Sequence, residues 1–212
     1  MKKTLVVCLM LLLLNGLSGA AIRLGLSGGY AKHLESNFGG GPAAGFSLGF
    51  DLTSMFAVEA RGLWFASDVA GSATSLSKGT MTVMPVELSV VARFGAGKKL
   101  VPYVALGGGY GLNSFTVDST VVSAWSKMGM TLAESLKGGL TILVGAGFDY
   151  ILKPGPKPGQ GLFLNLEARY LMGKADGTWS LTDTASNEKT TGTLGGLKLD
   201  SIMIGLGLKY GF

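Results

Sequence analysis

The chain has 212 residues, of which 47% are hydrophobic, only 15% are charged and 35 are glycine. Average soluble domains carry about 25% charged residues and about 7% glycine. The scarcity of charge excludes a disordered polar chain, and the glycines follow no period of three, which excludes collagen. An apolar, glycine-rich chain of single-domain length remains.

The first twenty residues have the pattern of a secretory signal peptide. Two lysines precede an apolar run, Leu5 to Leu14, and small residues end the segment at Ala20. This run is shorter than the roughly 20 residues that a spanning helix needs. We therefore expect a signal peptide over 1–20, cleaved near Ala20, and one domain over 21–212. The single cysteine, Cys8, would be removed with the leader, leaving neither disulfides nor cysteine ligands for a metal.

In the rest of the chain, apolar residues alternate with small or polar residues. In eight segments every second residue is apolar, which is the period of a β-strand because successive side chains point to opposite faces. The apolar positions, in chain order, are Ile22, Leu24, Leu26 and Tyr30; Ala44, Phe46, Leu48 and Phe50; Phe56, Val58, Ala60 and Trp64; Met84, Val86, Leu88, Val90, Ala92 and Phe94; Val104, Leu106, Tyr110 and Leu112; Leu140, Ile142, Val144, Ala146, Phe148 and Tyr150; Leu162, Leu164, Leu166, Ala168, Tyr170 and Met172; and Ile202, Ile204, Leu206, Leu208, Tyr210 and Phe212.

The charged residues of these segments lie on the opposite face. Five are near mid-segment, namely Glu59, Arg61, Glu87, Glu167 and Arg169. Five are near the segment ends on the side of the short connections and of the two termini of the domain, namely Arg23, Asp51, Arg93, Asp149 and Lys209. Otherwise this face is dominated by Gly, Ala and Ser, as suits the interior of a narrow barrel.

This pattern predicts an all-β fold, an eight-stranded antiparallel up-and-down transmembrane β-barrel. Lipid contact explains the uncharged face, where Arg or Lys would cost roughly 2–4 kcal/mol at the midplane. Closure removes the sheet edges that hydrocarbon does not tolerate. The alternative is a soluble β-sandwich, which would place Lys, Thr, Ser and Glu across its outer face.

The connections alternate between long and short. The long ones span 31–43, 66–80, 113–138 and 173–198, and the shorter ones span 53–55, 95–101 and 152–160. Long extracellular loops and short periplasmic turns are typical of bacterial outer-membrane barrels. The third long connection contains Val121, Val122, Trp125, Met128 and Met130, and we expect either a short helix or a strand extension whose apolar residues pack over the barrel mouth.

The chain resembles the outer-membrane protein β-barrel family, the small barrels of the OmpA, OmpX and OmpW type. The resemblance covers essentially all of 21–212 and is most specific in the last strand, Gly205–Phe212, with further familial segments at Pro102–Tyr110 and Phe163–Tyr170. Terminal Phe212, with Tyr210 and Leu208 before it, resembles the signal that the barrel-assembly machinery recognises. The resemblance implies the bacterial outer membrane, with outer-membrane lipid and lipopolysaccharide as surroundings, and a monomer.

In an eight-stranded ring the third and seventh strands face each other. We therefore expect Glu59 and Arg61 to meet Glu167 and Arg169 across the lumen. Buried charges must be paired, because breaking such a pair costs about 3–5 kcal/mol. Two interpretations stay open, a salt-bridged plug that fills the barrel and a switchable gate for ions or small solutes.

Other chemistry has weak support in the sequence. Some small barrels are lipid-modifying enzymes that use His and Ser. Here His33 with Ser67 and Asp68 could form such a catalytic set. However, one histidine near a serine-rich loop is expected by chance. The ligands for a metal are missing. The segment 95–99 lacks the spacing of a phosphate-binding loop. We expect no enzyme activity and no cofactor.

Charge and location exclude nucleic acid as a partner. Loss of Lys2 and Lys3 leaves 16 basic against 13 acidic residues, a mild net charge of +3. Three functions are left for an exported barrel: a structural protein that displays its loops, a narrow OmpW-like channel for small or hydrophobic solutes, and a surface adhesin.

Overall fold

The computed structural model describes residues 21–71, 76–95, 97–157 and 159–212. The predicted signal peptide lies outside these residues. The barrel strands are β1 (Ile22–His33), β2 (Gly40–Asp51), β3 (Phe56–Val69), β4 (Gly79–Arg93), β5 (Leu100–Val117), β7 (Gly139–Pro154), β8 (Gly161–Asp183) and β10 (Ser201–Gly211). Three further elements lie beyond the barrel wall: α1 (Ser119–Lys127), β6 (Met130–Leu136) and β9 (Lys189–Lys198).

The eight barrel strands form a closed antiparallel ring. Each pairs with its neighbour in the ring, and β10 pairs with both β8 and β1, which closes the sheet. This confirms the predicted all-β, eight-stranded antiparallel barrel. No helix within the described residues is long and apolar enough to cross a bilayer.

The faces of the strands follow the predicted alternation. In the eight barrel strands the even-numbered side chains face outward and the odd-numbered ones face the lumen, as the alternating burial shows. The exception is the end of β7, where a register shift makes the exposed Lys153 the partner of the outward Leu162. The outward apolar residues are exposed, including Leu26 at 71% and Leu140 at 79%. Outward aromatic residues flank this belt at both ends, as in membrane barrels. They are Tyr30, Trp64, Tyr110 and Tyr170 toward one end, and Phe94, Phe148, Tyr150, Tyr210 and Phe212 toward the other.

The two ends of the barrel differ. At one, the turn end, short connections over 52–55, 94–99 and 155–160 join the strands. At the other, the loop end, β8 continues beyond the ring to Asp183 and pairs with β6 on one side and β9 on the other. We call this three-stranded unit the loop-end sheet. Hydrogen bonds from Ser186 N (3.0 Å) and Ala185 N (2.8 Å) hold its hairpin turn and lower the pKa of the Asp183 carboxyl.

The predicted loop lengths were wrong at the loop end. The first and second connections shrink to 34–39 and 70–78, and most of 173–198 is strand rather than loop. The reason is that outward residues of a strand that leaves the membrane meet water, so Ser, Thr and Lys replace apolar residues while the backbone ladder continues. Apolar alternation therefore ends before the strand does.

The expectation for the third connection was also wrong in part. The segment does contain both a helix, α1, and a strand extension, β6. However, no residue of α1 is buried, and Val122 and Met128 are 41% and 58% exposed. The helix packs beside β6, and other residues close the barrel mouth.

One barrel seam is interrupted. The β3–β4 ladder runs to Gly62↔Val86 and resumes at Phe65↔Val83, so two residue pairs are unpaired between them. Pro85 lies in this interval and has no N–H to donate, which explains why the ladder breaks there. The register is the same on both sides, so the seam is interrupted without a bulge.

A pair of facing glycines shows how tightly the strands approach one another. Gly29 and Gly205 are register partners in β1 and β10. A Cβ added at Gly29 would lie 2.1 Å from the Ile204 carbonyl oxygen, whereas one added at Gly205 would meet nothing closer than 3.6 Å. Only the first glycine is required by close backbone approach.

We predict that Gly29→Ala destabilises the barrel and that Gly205→Ala does not. Overpacking against a backbone atom costs about 1–3 kcal/mol, so the unfolding midpoint of the Gly29 variant in urea should fall clearly. Urea unfolding in lipid vesicles, followed by heat-modifiable gel mobility, measures it. Equal midpoints for the two variants would contradict the assigned seam geometry.

Candidate functional site

The ten charged residues singled out in the sequence all lie in the lumen. Five are basic and five acidic, so the lumen carries no net formal charge. Their side chains are at most 12% exposed, and most are below 5%. Buried charges at this density require mutual pairing. The pairs form two layers, which we call the middle layer and the turn-end layer.

The middle layer joins opposite walls of the barrel. Arg61 of β3 pairs with Glu167 of β8 and with Glu59, whose Oε1 accepts from Arg61 Nη2 at 2.8 Å. Arg169 of β8 donates to Glu59 Oε1 at 3.0 Å and lies 3.2 Å from Glu167 Oε2. The third and seventh barrel strands therefore touch across the lumen through two arginines and two glutamates.

Glu87 is the least firmly held member of the middle layer. Its Oε2 lies 3.5 Å from Arg169 Nη1. Neither of its carboxylate oxygens has a hydrogen-bond partner within the described residues. Although Glu87 is the register partner of Arg61 on the neighbouring strand, the Arg61 guanidinium is directed to Glu59 and Glu167 instead.

The turn-end layer is organised around two aspartates. Asp51 accepts from Arg23 Nη2 at 2.8 Å and from Arg93 Nη1 at 2.6 Å. Asp149 lies 3.5 Å from Arg23 Nη1 and 3.8 Å from Arg93 Nε. Lys209, expected in this layer alone, lies 3.5 Å from both Asp149 and Glu59. It therefore connects the two layers.

Two neutral residues that the sequence reasoning missed complete the network. Tyr103 donates its hydroxyl hydrogen to Glu167 Oε2 at 3.0 Å. Asn165 Nδ2 donates to the Tyr103 hydroxyl at 2.9 Å and to Asp149 Oδ1 at 2.8 Å. Both occupy inward positions of their strands, so the alternation that placed the charges already held the signal that could have found them.

The lumen near the loop end is apolar. The prediction of a small, polar inward face was therefore wrong for this part of the barrel. Leu76, from the second loop-end connection, is fully buried there. Ser77 beside it donates to Glu134 of β6 at 3.0 and 2.7 Å, which ties the connection to the loop-end sheet. The buried members of this apolar plug are Ala31, Phe38, Ala43, Leu63, Phe65, Val69, Leu76, Met81, Val83, Leu136, Ala175, Leu199 and Met203.

His33 lies within the apolar plug rather than in a loop. It is 1% exposed, and its ring lies 5.3 Å from that of Phe38 and 5.5 Å from that of Phe65. Neither ring nitrogen has a hydrogen-bond partner among the described residues. Ser67 is buried without a hydrogen-bond partner for its hydroxyl, and Asp68 faces outward, so the structure forms no catalytic set from these three.

A small cavity lies beside the apolar plug, where Phe65, Val83 and Leu199 line it together with Pro85. Its volume is about 10 Å³, about enough for one water molecule. The larger concavities, of about 830 and 740 Å³, are grooves on the outward wall lined by belt residues such as Leu26 and Leu106. Lipid chains rather than solutes would fill such grooves.

The C-terminal residues face outward at the turn end. Leu208, Tyr210 and Phe212 are 50–56% exposed. The rings of Tyr210 and Phe212 meet edge to face at 4.8 Å, and Phe212 N donates to Ile22 O at 2.9 Å. These residues thus lie at the seam where the last strand closes on the first.

Two motifs set aside in the sequence have simple structural roles. Gly95 and Gly97 have positive φ values of 77° and 89°, so they form a turn rather than a phosphate cradle. Within the described ranges, no group of three or more His, Cys, Asp or Glu residues is arranged to hold a metal ion.

Comparison with solved structures finds small outer-membrane barrels. OprG from Pseudomonas aeruginosa is 17% identical, with a TM-score of 0.58 over 90% of this chain and 95% of OprG. A major outer membrane protein from Thermus thermophilus is 14% identical, with a TM-score of 0.55 over 92% and 100%. Neisserial surface protein A is 13% identical, with a TM-score of 0.53 over 92% and 98%. At these identities the likeness shows the fold alone.

The search of curated proteins finds no match. A family model, in contrast, matches nearly the whole chain, residues 5–212. With the closed barrel, the lipid-facing belt and the inward charges, this establishes the place of the protein in the bacterial outer membrane. The chain belongs to the family of the outer membrane protein beta-barrel domain.

Proposed function

We propose that this protein is a sealed, non-conducting barrel that anchors the loop-end sheet at the cell surface. The turn end then faces the periplasm and the loop end the exterior, as in other outer-membrane barrels. The observation that carries the proposal is the charge-balanced, cross-lumen ion network. It bridges the walls at two heights, and with these pairs in place we expect no continuous water-filled path.

The apolar plug supports the same function. Above the middle layer, Phe65, Met81 and Leu76 fill the lumen, and Ser77 ties the overlying connection to Glu134. An ion would have to cross both a buried salt-bridged layer and a largely apolar one. Each is a barrier of a different kind, so loosening one does not open the other.

Display of a rigid surface element follows from the strand lengths. β8 has 23 residues, about twice the 11 residues of β10. Its upper half carries β6 and β9 outside the membrane, and the β8–β9 ladder has one register shift, between Ala175 and Gly177. Trp179 packs over Gly192 of β9, where an added Cβ would lie 2.4 Å from the indole ring.

We further infer that the protein acts without enzyme chemistry and as a monomer. His33 is buried among apolar side chains, where no substrate reaches it. The exposed row Leu208, Tyr210 and Phe212 at the closing seam supports a role in recognition by the barrel-assembly machinery.

We predict that Arg61→Gln lowers stability without raising conductance. Removing Arg61 leaves Glu59 and Glu167 short of a buried partner, which costs about 3–5 kcal/mol. Glu87→Gln is the matched control, because Glu87 makes a single long contact, and its cost should be clearly smaller. Urea unfolding in vesicles and conductance in planar bilayers measure the two effects.

A gate would behave differently. In that case Arg61→Gln would open ion-conducting events that are absent in the wild-type protein, while Glu87→Gln would not. Such events, seen at unchanged stability, would replace the sealed barrel by a charge-gated channel.

A second function is favoured by the broken β3–β4 seam, namely passage of small apolar solutes through the wall. The seam lies beside the apolar plug, since Pro85 and Phe65 line the small lumen cavity. Trp64 and Met84 cover the same interval from outside and are 42% and 39% exposed. An apolar solute entering from the exterior could leave sideways into lipid here without crossing the ion network.

Pro85→Val separates this second function from the first. Restoring the N–H should repair the ladder, slow the uptake of a fluorescent apolar solute into vesicles and raise stability. Pro42→Val, in β2 and outside the interrupted interval, is the control. If uptake by the wild-type protein matches that of protein-free vesicles, the wall passage is excluded.

A further inference from the structure

Four exposed lysines lie at the upper edge of the lipid-facing belt. They are Lys32 in β1, Lys198 at the end of β9, Lys174 in β8 and Lys137 between β6 and β7, and β10 separates β1 from β8 in the ring. We call them the rim lysines. They take no part in the lumen network.

Their height places them at the membrane surface. The outward residues of β8 run from Leu162 to Met172, which is ten residue steps. At about 3.4 Å per residue and a tilt of about 40°, this run rises about 26 Å. The apolar band of such barrels is about 25 Å tall. Lys174 is the next outward residue after Met172, so its ammonium lies level with the outer-leaflet headgroups.

Two of the rim lysines directly face each other. Lys174 and Lys198 are register partners in β8 and β9. Like charges at directly opposite positions destabilise a sheet. Within the described parts of the chain, no carboxylate lies within ion-pair distance of any of the four rim lysines. The unfavourable pair is thus left without a protein counter-charge.

Asp200 and Asp176, each two residues along the chain from a rim lysine, are already engaged. Asp200 accepts from Gly173 N at 3.1 Å and from the Tyr170 hydroxyl at 3.3 Å. Asp176 accepts from Gly196 N at 3.1 Å. These bonds hold the carboxylates to the backbone and to the aromatic girdle.

The opposite side of the barrel lacks this feature. There the corresponding outward row runs through Asp68, Thr80 and Thr116, which are register partners across β3, β4 and β5. The nearby Lys78 lies 3.6 Å from the Asp118 carboxylate. At the upper edge of the belt, this outward row therefore has no counterpart of the facing pair Lys174 and Lys198.

We propose that the rim lysines form a binding site for the phosphate groups of lipid A in the outer leaflet. A phosphate placed between Lys174 and Lys198 turns their repulsion into two charge-assisted hydrogen bonds. Basic side chains at the edge of an apolar belt bind anionic headgroups in this way, and the lysine stems can extend along the belt to reach them. Leu140 beside them offers apolar surface for an acyl chain.

The test measures lipid binding by native mass spectrometry of the full-length mature protein released from a neutral detergent. The variant is Lys174→Gln with Lys198→Gln. The control is Lys127→Gln with Lys189→Gln, which removes the same charge from two exposed lysines on α1 and at the start of β9. The probes are lipid A with both phosphates, lipid A without phosphates, and inorganic phosphate. Heat-modifiable gel mobility confirms that both variants are folded.

We expect the wild-type and control proteins to bind phosphorylated lipid A with the same Kd. The rim variant should bind about ten-fold more weakly, since each basic residue near an anionic surface contributes about a few-fold. Removing the phosphates should weaken wild-type binding to a similar extent. Equal affinity of the rim variant and the control would overturn the site. Inorganic phosphate binding as tightly as lipid A would overturn its assignment to a lipid.

Discussion

Hydrocarbon tolerates neither an open sheet edge nor an uncompensated charge, and this constraint determines the rest of the structure. Closing the sheet gives the backbone N–H and C=O groups of the edge strands hydrogen-bond partners. The pleat of each strand then divides the side chains between a lipid face and a lumen face. In the part of each barrel strand that crosses the membrane, the even-numbered residues face lipid and the odd-numbered residues face the lumen. One unpaired residue inserted into a strand would turn a charge such as Glu167 toward lipid.

The charged residues that lipid excludes are placed in the lumen. Five basic and five acidic residues are buried together in the lumen, so each must contact an opposite charge. Arg61 and Arg169 reach across the ring because their partners lie on the opposite wall. Near the exterior the same space is filled by apolar residues, among which His33 is held in an uncharged setting. In the proposed function the barrel is a sealed post, and β8 continues above it as the central strand of the loop-end sheet.

Much of this architecture could be predicted from the sequence, because alternation and the absence of charge on one face are local signals. They gave the strand count, the orientation of each face and the residues that meet across the lumen, such as Glu59 and Arg169. The ends of the strands could not be predicted in this way. Outside the membrane β8 and β9 use Thr, Ser and Gly on surfaces wetted on both sides, so no apolar period marks them.

Other features depend on contacts that no sequence pattern specifies. Tyr103 and Asn165 were on the inward face, but only the fold brings them to Glu167 and Asp149. Leu76 closes the mouth although it comes from a polar connection, since Ser77 is held by the distant Glu134. Lys174 and Lys198 face each other because of the register in which β8 pairs with β9.

The central claim is that the lumen is sealed. With Cys8 in the predicted leader, the mature chain has no cysteine, so one can be introduced at will. Ser89 is inward, 3% exposed and adjacent to the middle layer, its hydroxyl 3.4 Å from Glu59 O. Labelling of Ser89→Cys by a small charged thiol reagent, applied from either side of vesicles, should be negligible, while the exposed Ser186→Cys is labelled from outside. Rapid labelling at Ser89→Cys in a folded barrel would show a water-filled lumen and contradict the account.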